Sequence, residues 1–142
     1  MVDVTSKDVT AREAIAACTV RMSTETRRLV LKGELDKGDA LEVARIAGIM
    51  GAKKTSELIP LCHPISLGGV DVFVAEHEEG IAVTATVRTA ERTGVEMEAM
   101  TAVAIAALTI YDMVKGTERG VEVTDVRLLR KSGGRSGTWE RS

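Results

Sequence analysis

The chain is poor in aromatic residues: one Trp, one Tyr and one Phe among 142 residues. Its core must be built from Val, Ile, Leu, Ala and Met. The same shortage argues against a surface for single-stranded nucleic acid, which relies on aromatic stacking platforms. Only two cysteines occur, Cys18 and Cys62, far apart and in no CxxC pair. No disulfide framework is expected, and a reducing cytoplasm is the simpler compartment. Net charge is −2, so no global field draws in DNA or an anionic membrane, and any anion site must be local. The first eight residues lack an apolar signal core, and the longest uncharged run, 99–111, is shorter than the roughly 20 residues of a bilayer span. Neither a Walker G-x-x-x-x-G-K-[ST] loop nor a strand-following G-x-G-x-x-G is present. These absences point to one cytoplasmic domain over residues 1–142, with neither nucleic acid nor membrane as partner.

Proline is equally scarce, and its placement is informative. Both prolines fall in Leu58-Ile59-Pro60-Leu61-Cys62-His63-Pro64-Ile65. Each fixes its own φ and pushes the residue before it toward extended conformations, so the stretch is expected to be a stiff, non-helical connector. It holds a thiol and an imidazole in set directions, and a positioned imidazole moves protons near neutral pH. Cys62 reads equally as core filler and His63 as a hydrogen-bonded surface residue.

Around this connector the chain alternates between two periodicities. Residues 13–22 suit a first strand, although their alanines would also suit a helix. Ser23 caps a short helix over 24–32 that ends at Gly33. Asp39 caps a second helix, with Glu42 three residues on as in a capping box, and Ala44, Ala47, Gly48 and Gly51 give it a small-residue face. Val70, Val72 and Val74, then Ile81, Val83, Ala85 and Val87, alternate as a hairpin turning at Glu78-Glu79-Gly80. Thr93-Gly94-Val95-Glu96 reads as a T-x-x-E capping box opening a helix to Lys115, and a last strand covers 121–129. The order β-α-α-β-β-α-β predicts an α+β ferredoxin-like two-layer sandwich: a four-stranded, mainly antiparallel sheet with helices on one face. From about residue 131 the chain is Gly-rich and reads as a flexible tail.

The helix from 95 to 115 is apolar on all sides of its middle, which predicts burial on all sides. A two-layer domain leaves the outside of its helices in water, so a second subunit is expected to cover it. Its charges sit at its ends. Glu96 reads as the partner of Thr93, whereas Glu98 has less obvious local work. Asp112 stands in the last turn, where the helix dipole disfavours an anion, and needs a cation such as Lys115 three residues away. Fourteen positions separate Glu98 from Asp112, roughly 21 Å along the axis. One small-molecule pocket in a single chain cannot use both. Lys37 enters the second helix beside Gly38, Lys53 and Lys54 leave it, and Lys131 and Arg135 flank Ser132-Gly133-Gly134. Glycine-rich backbone beside basic side chains can wrap a phosphate.

Four separated motifs resemble one family: Leu-Ile-Pro-Leu-Cys-His-Pro at 58–64, Gly-Val-Glu-Met-Glu-Ala at 94–99, Leu-Thr-Ile-Tyr-Asp-Met at 108–113 and Lys-Ser-Gly-Gly at 131–134. They are similar, in order and over nearly the whole chain, to cyclic pyranopterin monophosphate synthase, also called molybdenum cofactor biosynthesis protein C. The resemblance implies a lyase of the bacterial cytoplasm. It would convert (8S)-3′,8-cyclo-7,8-dihydroguanosine 5′-triphosphate into cyclic pyranopterin monophosphate and pyrophosphate at sites between the subunits of a homohexamer, a trimer of dimers. It further implies Asp112, Lys37, Lys115 and His63 as catalytic residues. Leu61, Cys62, His63, Met97, Glu98, Arg12 and Lys131 are implied as substrate-binding. No resident metal or cofactor is implied, and a magnesium ion arriving with the triphosphate is compatible. The chemistry needs proton transfers and triphosphate binding but no electron sink. Two other readings fit parts of the sequence. One is a non-catalytic metabolite-binding module; the other is a metal site using Cys62, His63 and a carboxylate, for which adjacent Cys-His is poor spacing.

Overall fold

The computed structural model describes residues 1–142. In chain order the elements are β1 (Thr10–Arg21), α1 (Thr24–Lys32), α2 (Ala40–Lys53), α3 (Thr55–Leu58), β2 (Gly69–His77), β3 (Gly80–Glu91), α4 (Glu96–Val114), β4 (Glu122–Ser132) and β5 (Trp139–Glu140). The strands form one sheet in the order β2-β3-β1-β4-β5 with every pair antiparallel. The architecture is α+β, consistent with the expected ferredoxin-like sandwich, with a fifth strand beyond the four read from sequence.

β1 is the central strand, hydrogen-bonded to β3 on one side and β4 on the other. Ala14, Ala16, Cys18 and Val20 point to the helices and are buried. Their period of two, locked by two neighbours, settles the strand against the helix propensity of its alanines. The pairing with β4 shifts register near Ala17–Thr19, where Asp125 takes a positive φ of 57°, a conformation Asp tolerates better than most residues.

α1 ends as its sequence indicates. The Ser23 hydroxyl accepts from the Thr26 amide, and Gly33 closes the helix in the left-handed region. Asp39 caps α2 through the Leu41 and Glu42 amides, but Glu42 does not return the bond; its carboxylate pairs with Arg45 instead. The proline connector begins later than expected, because Leu58 still belongs to the single turn of α3. The Gly-rich tail takes regular structure: β4 continues through Ser132, and the chain turns back so that Trp139 pairs with Lys131. The turn depends on Gly133 and Gly134, both at positive φ. A Cβ on the first would run into the Ala11 carbonyl, and one on the second into the Arg12 guanidinium.

α4 packs on β1, β3 and β4, and α2 lies beside it on the same face of the sheet, over β2. Ala99, Ala102, Val103, Ala106, Ala107 and Ile110 are fully buried, and only Met97 and Leu108 among its large apolar residues are exposed. The chain's own α2 therefore covers one flank of α4, and the side bearing Leu108 stays open. This close approach uses the small-residue face of α2. A Cβ on Gly48 would sit 3.0 Å from the Ala102 carbonyl oxygen and 3.3 Å from the Ala106 Cβ. Gly48→Val is expected to destabilise the fold by about 2 kcal/mol despite the better helix propensity of valine, because backbone must move to admit it. A urea midpoint equal to or above that of the parent protein would contradict this packing. By length and composition α4 passes as a membrane-spanning helix, but 56% of the window concerned is buried within the chain.

Candidate active site

The sequence-predicted site residues fall into three places. The proline connector crosses above the start of α4, and together they enclose a cavity of about 320 Å³. Leu61, Cys62 and His63 line one wall, and Met97, Glu98, Glu96 and Gly94 the other. The connector's stiffness thus serves to hold three consecutive residues over a helix N-terminus.

Glu98 is 3% exposed, and burial raises its carboxyl above the ordinary range. One carboxylate oxygen accepts from the Cys62 thiol at 3.6 Å, while Oε2 is buried without a partner. Burial, with Glu98 alongside, pushes the Cys62 thiol up to about 11. Cys62 is therefore a thiol at neutral pH and not a nucleophile. His63 Nε2 lies 2.7 Å from the Val2 carbonyl oxygen. A carbonyl can only accept, so in this arrangement Nε2 carries the proton. No three His, Cys, Asp or Glu side chains gather in a metal-holding group, here or elsewhere.

Beside this cavity runs a basic one. Arg12 leaves β1 with its guanidinium tied to backbone, Nε donating to the Glu91 carbonyl at 3.0 Å and Nη2 to that of Arg92 at 3.3 Å. Lys131 leaves β4 and pairs with Glu96 at 2.7 Å. The expected capping box is thus absent. The residue before α4 makes no side-chain cap, and Glu96 turns to Lys131. Burial works to raise the Glu96 carboxyl, but the hydrogen bond from Lys131 and the nearby Arg12 charge outweigh it, and the net shift is downward. Arg12, Gly134 and Arg135, with Lys7, Asp8 and Thr10, surround about 400 Å³. Lys7 and Asp8 gave no motif signal. Only the fold of the N-terminal segment brings them here. Lys53, a further basic candidate, lines none of the three site cavities.

The third place is the far end of α4. Asp112 is bracketed by two ammonium groups, Lys115 Nζ at 2.7 Å from Oδ1 and Lys37 Nζ at 2.8 Å from Oδ2. Lys37 also donates to the Asp112 backbone carbonyl at 2.9 Å. Buried Leu35 anchors the α1–α2 loop, so Lys37 projects over the α4 C-terminus and neutralises both the side chain and the negative dipole end. Hydrogen bonds from Lys115 and Lys37 pull the Asp112 carboxyl down to about 2, and Asp112 in turn raises Lys115. The resting cluster is one anion between cations, suited to donating protons from lysine rather than to accepting them on aspartate. Lys37 and Lys115, with Tyr111, Gly116 and Arg119, open onto about 450 Å³ of free space.

A family model described as the MoaC family matches residues 1–134. The chain belongs to the MoaC family. A relative from Streptomyces coelicolor named cyclic pyranopterin monophosphate synthase is 57% identical over 143 residues, covering 100% of this chain and 84% of the relative. One from Cereibacter sphaeroides with the same name is 56% identical over 144 residues, covering 100% and 91%. Cyclic pyranopterin monophosphate synthase 2 of Mycobacterium tuberculosis is 55% identical over 141 residues, covering 99% and 84%. Within this MoaC-family chain the three clusters carry the residues that the sequence motifs single out. The first two adjoin. The Lys37–Asp112–Lys115 cluster stands at the opposite end of the same straight helix.

Proposed function

We propose that the chain converts (8S)-3′,8-cyclo-7,8-dihydroguanosine 5′-triphosphate into cyclic pyranopterin monophosphate and pyrophosphate, an early step of molybdenum cofactor synthesis, as a cytoplasmic lyase. The observation that supports this most strongly is identity of 50–57%, over 99–100% of the chain, to relatives named for that product.

The geometry fits the chemistry the reaction demands. A guanine-derived ring presents adjacent N–H donors, and the unpartnered Glu98 oxygen faces the cavity they would enter. Leu61, Cys62, His63 and Met97 frame that ring. The triphosphate lies in the basic cavity against Arg12 and Arg135, with Lys131 in the adjoining cleft that also contains Arg12. A substrate hydroxyl attacks the first phosphorus, the bond to the second phosphate breaks, and pyrophosphate leaves without any change of oxidation state. Lys37 and Lys115, held in place by Asp112, together with His63, move the protons of the ring rearrangement. Any magnesium ion arrives on the triphosphate as part of the substrate.

Asp112 and Glu98 cannot reach one ligand from the same chain, at roughly 21 Å along one helix. The site is therefore completed by a sister chain, which brings its Asp112 cluster to the His63 cavity within a homohexamer built as a trimer of dimers. Exposed Val43, Ile46 and Met50, on one stripe of α2, supply apolar surface for such contacts. The test is release of pyrophosphate from the cyclised nucleotide by the purified protein alone. Turnover with formation of the cyclic monophosphate is the expected result. Binding without turnover would instead favour a metabolite-binding module.

A further inference from the structure

Residues 2–9 precede β1 with no helix or strand, and most of their side chains are exposed. Their backbone is nevertheless held at three points. Arg92 Nη1, just beyond β3, donates to the carbonyls of Thr5, at 3.2 Å, and of Lys7, and His63 Nε2 donates to that of Val2. The carbonyl of Arg92 in turn accepts from the Arg12 guanidinium. Arm, clamp and phosphate-site arginine thus form one connected set.

The consequence is the shape and charge of the basic cavity. Lys7 and Asp8 line it together with Arg12, Gly134 and Arg135, and no apolar side chain does. The ion pairs of the molecule include none made by Lys7, Arg12 or Arg135. Three cations without carboxylate partners, around one cavity, offer an electrostatic environment for a polyanion. We propose that Lys7 is a phosphate-binding residue and Arg92 its positioning residue. By clamping the Thr5 and Lys7 carbonyls, Arg92 fixes the arm so that the Lys7 ammonium meets the phosphate oxygens in the cavity it shares with Arg12. Both carbonyls accept from the one Nη1 of Arg92, so a single side chain ties two points of the arm. This inference rests on the reading that the triphosphate occupies the basic cavity.

Inorganic pyrophosphate titrated calorimetrically into the full-length protein is the test, with hydrogen exchange followed on residues 2–8. Lys7→Ala is expected to raise Kd about tenfold, as loss of one charge-assisted contact does, and Lys7→Arg to stay near the parent value. Arg92→Ala should raise Kd in the same direction, speed exchange in the arm and abolish its protection by pyrophosphate. With the nucleotide substrate, both alanine variants should raise KM while kcat holds. Arg12→Ala separates the two levels. Weakened binding in Arg12→Ala with none in Lys7→Ala overturns the role of the arm and leaves the phosphate cavity standing. Unchanged binding in both overturns the cavity as well.

Discussion

Asp112→Asn is expected to lower kcat about a thousandfold, within the range that positioned proton transfer contributes, and to change KM by less than about threefold. The substitution keeps shape and removes charge. Lys37 and Lys115 then face each other with no anion between them. Their mutual repulsion lowers the cost of losing a proton, and neither is held where it was. Binding is spared because the ring and the phosphates are held by the Glu98 and basic cavities, whose own linings do not include Asp112. The pH profile sharpens the test. With its carboxyl drawn down to about 2, Asp112 is ionised throughout the range in which the protein works. Any acid limb in kcat above about pH 4 therefore belongs to another group, and it should persist in the asparagine variant. The sign for stability follows. A depressed carboxyl stabilises the fold above the ordinary aspartate range and loses that contribution as pH falls toward 2. All three side chains are about half exposed, at 49%, 55% and 52%, so solvent screens the effect and it is small. A variant with intact kcat would remove Asp112 from the chemistry.

How far the sequence carried this picture varied with the range of the interaction concerned. Local signals read well. Ser23, Gly33 and Asp39 terminate helices where their chemistry says they should, and the Asp112–Lys115 pair follows from helical spacing alone. Signals with two local interpretations failed when a distant partner chose between them. Glu96 satisfies a T-x-x-E pattern, yet Lys131, thirty-five residues on, offers an ion pair that the capping geometry does not match. The share of α4 covered by its own chain was hidden for a related reason. Its apolar circumference was legible, but the depth to which Gly48 and Gly51 let α2 sink against it depends on how the two helices cross. Lys37 stood out by its place beside Gly38 at a helix entry and by motif, but its partner did not. Its bond to Asp112 spans seventy-five residues and depends on Leu35 anchoring a loop. Lys7 and Arg92 carry no pattern, because their connection runs through backbone carbonyls, which have no residue-specific signature.

With α4 covered from within, the case for a shared site stands on the separation of its two working ends rather than on exposed apolar surface. Co-expression of His63→Ala and Asp112→Ala chains carrying different affinity tags tests that directly. Assemblies retained on both tags in succession contain both chains. If each site takes its His63 cavity from one chain and its Lys37–Asp112–Lys115 cluster from another, random assembly leaves about a quarter of the sites with both parts intact. The doubly tagged fraction should then show roughly that share of parental turnover, while each single variant stays inactive. A doubly tagged assembly as inactive as its two parents would contradict the account.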